Sequence, residues 1–382
     1  MPKFLTIAVA PDSFKGVMTA TEAASRIERG LKRAMESVRV RKIPMADGGE
    51  GTVSAIVNAT GGRLVRRVVR DPLGRNVRST FGLSGDGSRA IIEMSSASGL
   101  ALLKSSERNP LKTSTCGTGD LMRAALDLKV KRLLIGIGGS ATNDGGMGMA
   151  RALGFKFLDR LGRELREGGG ALIELDRIDP TGVDSRLARV GVEVACDVDN
   201  PLTGSRGAAH VYGPQKGASP ATVQRLDEGL RRLAKIVRRD VGIDVSRVPG
   251  AGAAGGLGAG LMAFAGAMLR PGVDIVIDAV DLRRQLFGCS FVITGEGKMD
   301  GQTLHGKTPA GVAGVAKSMD IPVVAICGSI GQGIEKVHDI GITAVFTTST
   351  DAVAEKDLPR IAPRQLTATA EQVGRLMATH RL

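Results

Sequence analysis

Five glycine-hinged loops hold most of the residues whose types and spacing could do chemistry. The first, Ala10-Pro-Asp-Ser-Phe-Lys-Gly16, sets Asp12, Ser13 and Lys15 just before a helix start at Thr19. A lysine beside a helix N-terminus favours an anion; a turn with a surface lysine is the plainer reading. The second, Met45-Ala-Asp-Gly-Gly-Glu-Gly-Thr52, presents Asp47 and Glu50 across two glycines. Carboxylates so placed can hold Mg²⁺ or accept the proton of an alcohol, whereas helix capping would need Asp47 alone. The fourth, Cys196-Asp-Val-Asp-Asn-Pro-Leu-Thr-Gly-Ser-Arg206, offers Asp197 and Asp199 beside Asn200, suited to Mg²⁺, to a general base or to an Asx-rich turn.

The third and fifth loops point to phosphate. Gly136-Ile-Gly-Gly-Ser-Ala-Thr-Asn-Asp-Gly-Gly-Met-Gly148 follows an apolar run, and successive glycines free backbone amides to form a nest for anionic oxygens. Its start also fits a dinucleotide fingerprint, Gly136-x-Gly138-x-x-Ala141, with Asp159 downstream. That is the basis of a rival reading as an NAD(P)-dependent oxidoreductase. Polar Ser140, Thr142, Asn143 and Asp144 fall where the dinucleotide helix should already run, which disfavours it. In the fifth loop, Thr294 to Pro309, Gly301-x-x-x-x-Gly306-Lys307-Thr308 satisfies the P-loop expression. Its strand ends at Thr294, too early for a true P-loop, while Pro309 marks a helix start that welcomes anions. Of the histidines His210, His305, His338 and His380, only His305 lies in such a loop, and no Ser-His-Asp arrangement can be read.

The elements that must position these loops alternate strand with helix, the pattern of a mostly parallel sheet and an α/β fold. Residues 4–10, Ile91 to Met94, Arg132 to Ile137, Val192 to Cys196, Phe291 to Thr294, Pro322 to Cys327 and Ala344 to Thr347 read as strands. Thr19-Ala-Thr-Glu22 is a capping box opening a helix with Ala23, Ile27, Leu31 and Met35 on one face. Helices are expected from Gly51 to Ala59, closed by Gly61-Gly62, and from Gly119 to Leu128. Ligands of parallel sheets collect at the carboxyl ends of strands, which is where these loops fall.

Composition narrows the classes. The 382 residues are 42% apolar and 24% charged, and 53 are glycine with no Gly-X-Y period, which excludes disorder and collagen. The net charge is +13, but nine Phe, one Tyr and no Trp leave few platforms for stacked bases, so no nucleic-acid partner is expected. The densest basic run (Arg225, Arg231, Arg232, Lys235, Arg238, Arg239) interleaves with Val223, Leu226, Leu230, Leu233 and Val237 as a solvated helix face. The uncharged stretch Val248 to Leu269 is mostly Gly and Ala between Pro249 and Pro271, a buried turn and helix rather than a membrane span. Cys116, Cys196, Cys289 and Cys327 form no CxxC pair, which fits a reducing cytoplasm, and no signal peptide is read at the N-terminus.

Six strings in order along essentially the whole chain resemble the glycerate kinases of the bacterial type-1 family. They are Ala10–Gly16, Ala46–Thr52, Gly138–Gly146, Cys196–Pro201, Gly213–Gly217 and Thr294–Gly297. The high positive charge departs from the family's usual pattern. The resemblance implies transfer of the γ-phosphoryl group of ATP to glycerate, with Mg²⁺ and 2-phosphoglycerate as product. It further implies two α/β domains with a cleft between them: a Rossmann-like domain from residues 1–64 and 284–382, and an inserted α/β domain, 65–283. Mapped on these strings, Lys15, Asp47 and Asp197 are the candidate catalytic residues, and Asp12, Ser13 and Lys216 would bind substrate. Gly138, Gly139, Ser140, Thr142, Asn143, Glu296 and Lys307 would bind phosphate or nucleotide, and Asp47, Asp197 and Asp199 the metal. Lys15 or Lys307 neutralises the moving group, and Asp47 or Asp197 accepts the proton or holds Mg²⁺.

Overall fold

The computed structural model describes residues 5–304, 306–349 and 355–379. Phe4 of the expected first strand, His305 and His380 lie outside the described residues. The chain folds as two compact units, one of Met1–Asp47, Ser54–Ala59 and Val273–Leu382, the other of Gly48–Val53 and Thr60–Gly272.

The first unit is built on a five-stranded parallel sheet. Its order is Ile342–Thr347, Val323–Cys327, Phe291–Thr294, Leu5–Val9, Val38–Lys42. Strands buried on both faces read as unbroken apolar runs, and Val323–Cys327 is buried along its whole length. Thr19 caps the helix Ala20–Ala34, its hydroxyl accepting from the Glu22 amide while the Glu22 carboxylate accepts from the Thr19 amide. Ala23, Ala24, Ile27 and Leu31 of that helix share a core with Leu366, Ala370 and Val373 of the helix Leu358–Thr379. Gly30 lets the two approach, because a Cβ there would collide with the Thr367 carbonyl.

The second unit carries a six-stranded mixed sheet. Its order is Met268–Arg270, Gly191–Ala195, Arg132–Gly136, Arg89–Glu93, Asn76–Leu83, Arg63–Arg70. The first four are parallel, and the last two form an antiparallel hairpin. That hairpin corrects the sequence reading, which has no strand between Gly62 and Ile91. Its outer strand is an exposed edge in which only Val65 and Val69 are buried, so the apolar signal is thin. The helix Pro220–Asp240 buries Val223, Leu226, Leu230, Leu233 and Val237 and exposes Arg225, Arg231, Lys235, Arg238 and Arg239, as its periodicity predicts. Arg232 is only half-exposed. The Gly-Ala stretch forms Ala253–Ala265, with Ala254, Gly255 and Gly256 in the left-handed region. A Cβ on Gly255 would collide with the Thr142 carbonyl, which shows how closely this turn approaches the Gly136–Gly148 loop. Among the described residues no helix is long and apolar enough to cross a membrane.

Candidate functional site

In the first unit, parallel pairing brings the carboxyl ends of Leu5–Val9, Phe291–Thr294 and Val323–Cys327 to one edge. The loop after Leu5–Val9 is tied down by Asp12 N–H to the Gly295 carbonyl at 2.8 Å and Thr294 Oγ1 to the Ala10 carbonyl at 2.9 Å. Phe14 and Met18 exchange backbone hydrogen bonds of 2.9 and 3.0 Å, closing the turn that carries Lys15. A cavity of about 420 Å³ opens at this edge. Asp12, Ser13, Lys15, Glu296, Lys298 and Lys307 supply its polar side; Phe14, Val17, Leu358 and Ala362 form an apolar wall. Five of the sequence-predicted residues (Asp12, Ser13, Lys15, Glu296, Lys307) therefore meet in one hollow.

A sixth, Asp47, joins them through Lys15, whose Nζ lies 3.1 Å from Asp47 Oδ2. Asp12 is buried, and its carboxylate accepts from the Ser13 amide and from Thr308 Oγ1, both at 2.6 Å. Burial, then the charge of Asp47, pushes the Asp12 carboxyl above the usual range. Burial does the same to Glu296, which accepts from Thr303 Oγ1 at 2.8 Å and has Lys307 Nζ at 3.6 Å. Burial works to lower Lys15, but Asp47 outweighs it and holds the ammonium above its ordinary value. Crowded carboxylates with raised proton affinity suit a divalent cation, and the donors are hard oxygens of the kind Mg²⁺ takes. Among the described residues no three His, Cys, Asp or Glu side chains form a ready-made metal cage.

The P-loop expression does not fold as a P-loop. A two-residue strand, Lys298–Met299, and a 3₁₀ turn, Gly301–Leu304, intervene between Phe291–Thr294 and the helix Thr308–Lys317. Lys307 stands at the N-cap of that helix with Pro309 in its first turn, so the expected anion-favouring start is present.

In the second unit, the Gly136–Gly148 loop is largely interior: Ser140, Thr142, Asn143 and Asp144 are all buried. Asp144 accepts from Thr115 N–H at 2.8 Å, Thr115 Oγ1 at 2.9 Å, and the amides of Gly146 and Gly148, both at 3.1 Å. The Gly145 amide goes to the Gly255 carbonyl and the Ala141 amide to the Ser98 carbonyl. Much of the expected phosphate nest thus holds the chain's own carboxylate, and only Gly138 and Gly139 are exposed. Lys216 is 1% exposed and donates to Ser140 Oγ at 2.8 Å and the Thr142 carbonyl at 2.7 Å. Burial pulls its ammonium down to about 7, against the opposing charge of Asp144. Thr142 Oγ1 and both polar side-chain atoms of Asn143 are buried with no hydrogen-bond partner among the described residues.

The dinucleotide fingerprint fails here for a structural reason. No helix follows the Arg132–Gly136 strand until Met147, so Gly136-x-Gly138-x-x-Ala141 does not open one. Asp159 instead closes its own turn, accepting from the amides of Leu161 and Arg163.

Asp197 follows the strand Gly191–Ala195 and accepts from the Gly272 amide at 2.8 Å. Asp199 is 76% exposed and pairs with Arg206 at 3.0 Å, a solvated ion pair of little energetic weight. At the start of the helix Thr52–Thr60, the Gly51 and Val53 amides donate to the Glu93 carboxylate at 3.1 and 2.9 Å. Sequence reasoning missed the apolar wall: Leu358 and Ala362 lie some 350 residues beyond Phe14 with no local signal. It also missed Thr308 as the hydroxyl that holds Asp12.

The glycerate kinase family model matches residues 7–378. The chain is 54% identical over 342 residues to the glycerate kinase of Halalkalibacterium halodurans, covering 90% of each. It is 48% identical over 346 residues to the glycerate 2-kinase of Escherichia coli, covering 91% of each. A crystal structure from Salmonella typhimurium LT2 superposes with a TM-score of 0.92 at 47% identity, covering 100% of both chains.

Proposed function

Because the chain belongs to the glycerate kinase family, we propose that it transfers the γ-phosphoryl group of ATP to the 2-hydroxyl of glycerate, with Mg²⁺. The observation that carries the reading is the meeting of Asp12, Lys15, Asp47, Glu296 and Lys307 at the carboxyl edge of one parallel sheet. Phosphoryl transfer asks the protein for positioning and charge neutralisation rather than covalent chemistry, and buried carboxylates interleaved with lysines meet that demand.

Asp12 and Asp47 are the groups that would hold Mg²⁺, since the charge of Asp47 helps push the buried Asp12 carboxyl up; the cation would supply neutralisation of the phosphate oxygens. Lys15 and Lys307 add positive charge on the same side. Asp197, at the end of its strand, is assigned to accept the substrate hydroxyl proton. The exposed Gly138 and Gly139 are the backbone of the second unit's loop that is open to an anionic group. Lys216 holds the loop behind them through Ser140 and Thr142. Release of ADP that requires D-glycerate and Mg²⁺ together tests the reading. ADP release at the same rate without glycerate, or none with it, would contradict it.

A further inference from the structure

The cavity of the first unit is larger and more apolar than a three-carbon hydroxy acid can use. Glycerate carries a carboxylate and two hydroxyls on three carbons and has no face to set against Phe14, Val17, Leu358 and Ala362. The volume of about 420 Å³ falls in the range of roughly 300–1,000 Å³ typical of drug-sized ligands. The wall continues a built core: Phe14 and Ala362 belong to the same buried cluster as Ile326 and Leu366. The same lining holds three lysines, Lys15, Lys298 and Lys307, the first two strongly exposed. Three cations beside acidic groups match a polyanion carried with a metal, and exceed what one carboxylate needs. Gly297 and Gly328 form part of the lining with no side chain to fill it.

Resting on the kinase reading above, we propose that this cavity is the nucleotide's seat. The adenine ring lies on the Phe14–Val17–Leu358–Ala362 wall, and the triphosphate runs toward Lys15, Lys298 and Lys307. Burial of the apolar ring faces supplies the affinity, while Ser329 and Thr348 at the lining offer hydroxyls to its edge. Glycerate then takes no part of this wall.

Photolabelling of the full-length protein with 8-azido-ATP and Mg²⁺, followed by peptide mapping, tests the placement. Label suppressed by excess ATP should fall in residues 14–17 or 358–365. Suppressible label in 136–148, or none suppressible anywhere, overturns it. As a second arm, Leu358→Trp fills the cavity from the half-buried first turn of its helix. ATP Kd should rise at least about tenfold while KM for D-glycerate stays within about twofold; an unchanged ATP Kd overturns the proposal. Glycerate phosphorylation with label elsewhere would sink this placement and leave the kinase reading standing, whereas label in the cavity without turnover would do the reverse.

Discussion

Replacing Lys216 by Met tests whether a buried amine braces the glycine-rich loop of the second unit. Its ammonium is pulled from the ordinary 10.5 to about 7, and each pH unit is worth 1.36 kcal/mol. The folded value lies below the unfolded one, so the unfolded chain binds more protons and stability rises with pH between the two. The destabilisation is complete below pH 7, where it amounts to about 5 kcal/mol, and is gone above pH 10.5. From pH 7 to pH 9 the wild type should therefore gain about 2 kcal/mol relative to Lys216→Met. Loss of the bonds to Ser140 Oγ and the Thr142 carbonyl shifts the variant by an amount independent of pH and drops out of that slope. Urea unfolding of both proteins at pH 7, 8 and 9 measures it. Stability curves that run parallel over this range would refute the reasoning, because they would mean Lys216 keeps its proton throughout.

Asp12→Asn should raise the unfolding midpoint while abolishing most turnover. Burial and Asp47 raise the Asp12 carboxyl, so the wild type acquires its costly buried charge as pH rises; the variant's advantage should be larger at pH 8 than at pH 5 in thermal scans. Asp47→Asn and Asp197→Asn should each lower kcat by about 10²–10⁴, the first with a raised Mg²⁺ requirement and the second without; near-normal turnover in either removes that residue from its role. Thr19→Ala breaks the capping box of the helix Ala20–Ala34 and should cost about 1 kcal/mol in urea unfolding with turnover unchanged.

Much of the fold was legible because its strands are buried on both faces. Leu5–Val9, Phe291–Thr294 and Val323–Cys327 stand out as apolar runs, and the Thr19–Glu22 box marks a helix start within a few residues. The Arg63–Arg70 and Asn76–Leu83 hairpin was not legible, since an edge strand with two buried valines among arginines carries little pattern. Loop chemistry was legible as residue type but not as burial. Lys216, in Gly-Pro-Gln-Lys-Gly, is mapped by the resemblance as a substrate-binding residue, while its bonds to Ser140 and Thr142, more than seventy residues away, leave no local signal. The Gly136–Gly148 loop likewise reads as an open nest, while its later amides are taken by Asp144 and Gly255. Such facts belong to tertiary packing, which local propensity does not encode.

The reaction itself is tested most directly by proton-coupled phosphorus NMR of the product formed from ATP and D-glycerate. Phosphate on the 2-hydroxyl couples to the single methine proton, so a doublet is predicted. A triplet, from phosphate beside the two methylene protons, or the absence of any new phosphomonoester, would contradict the account.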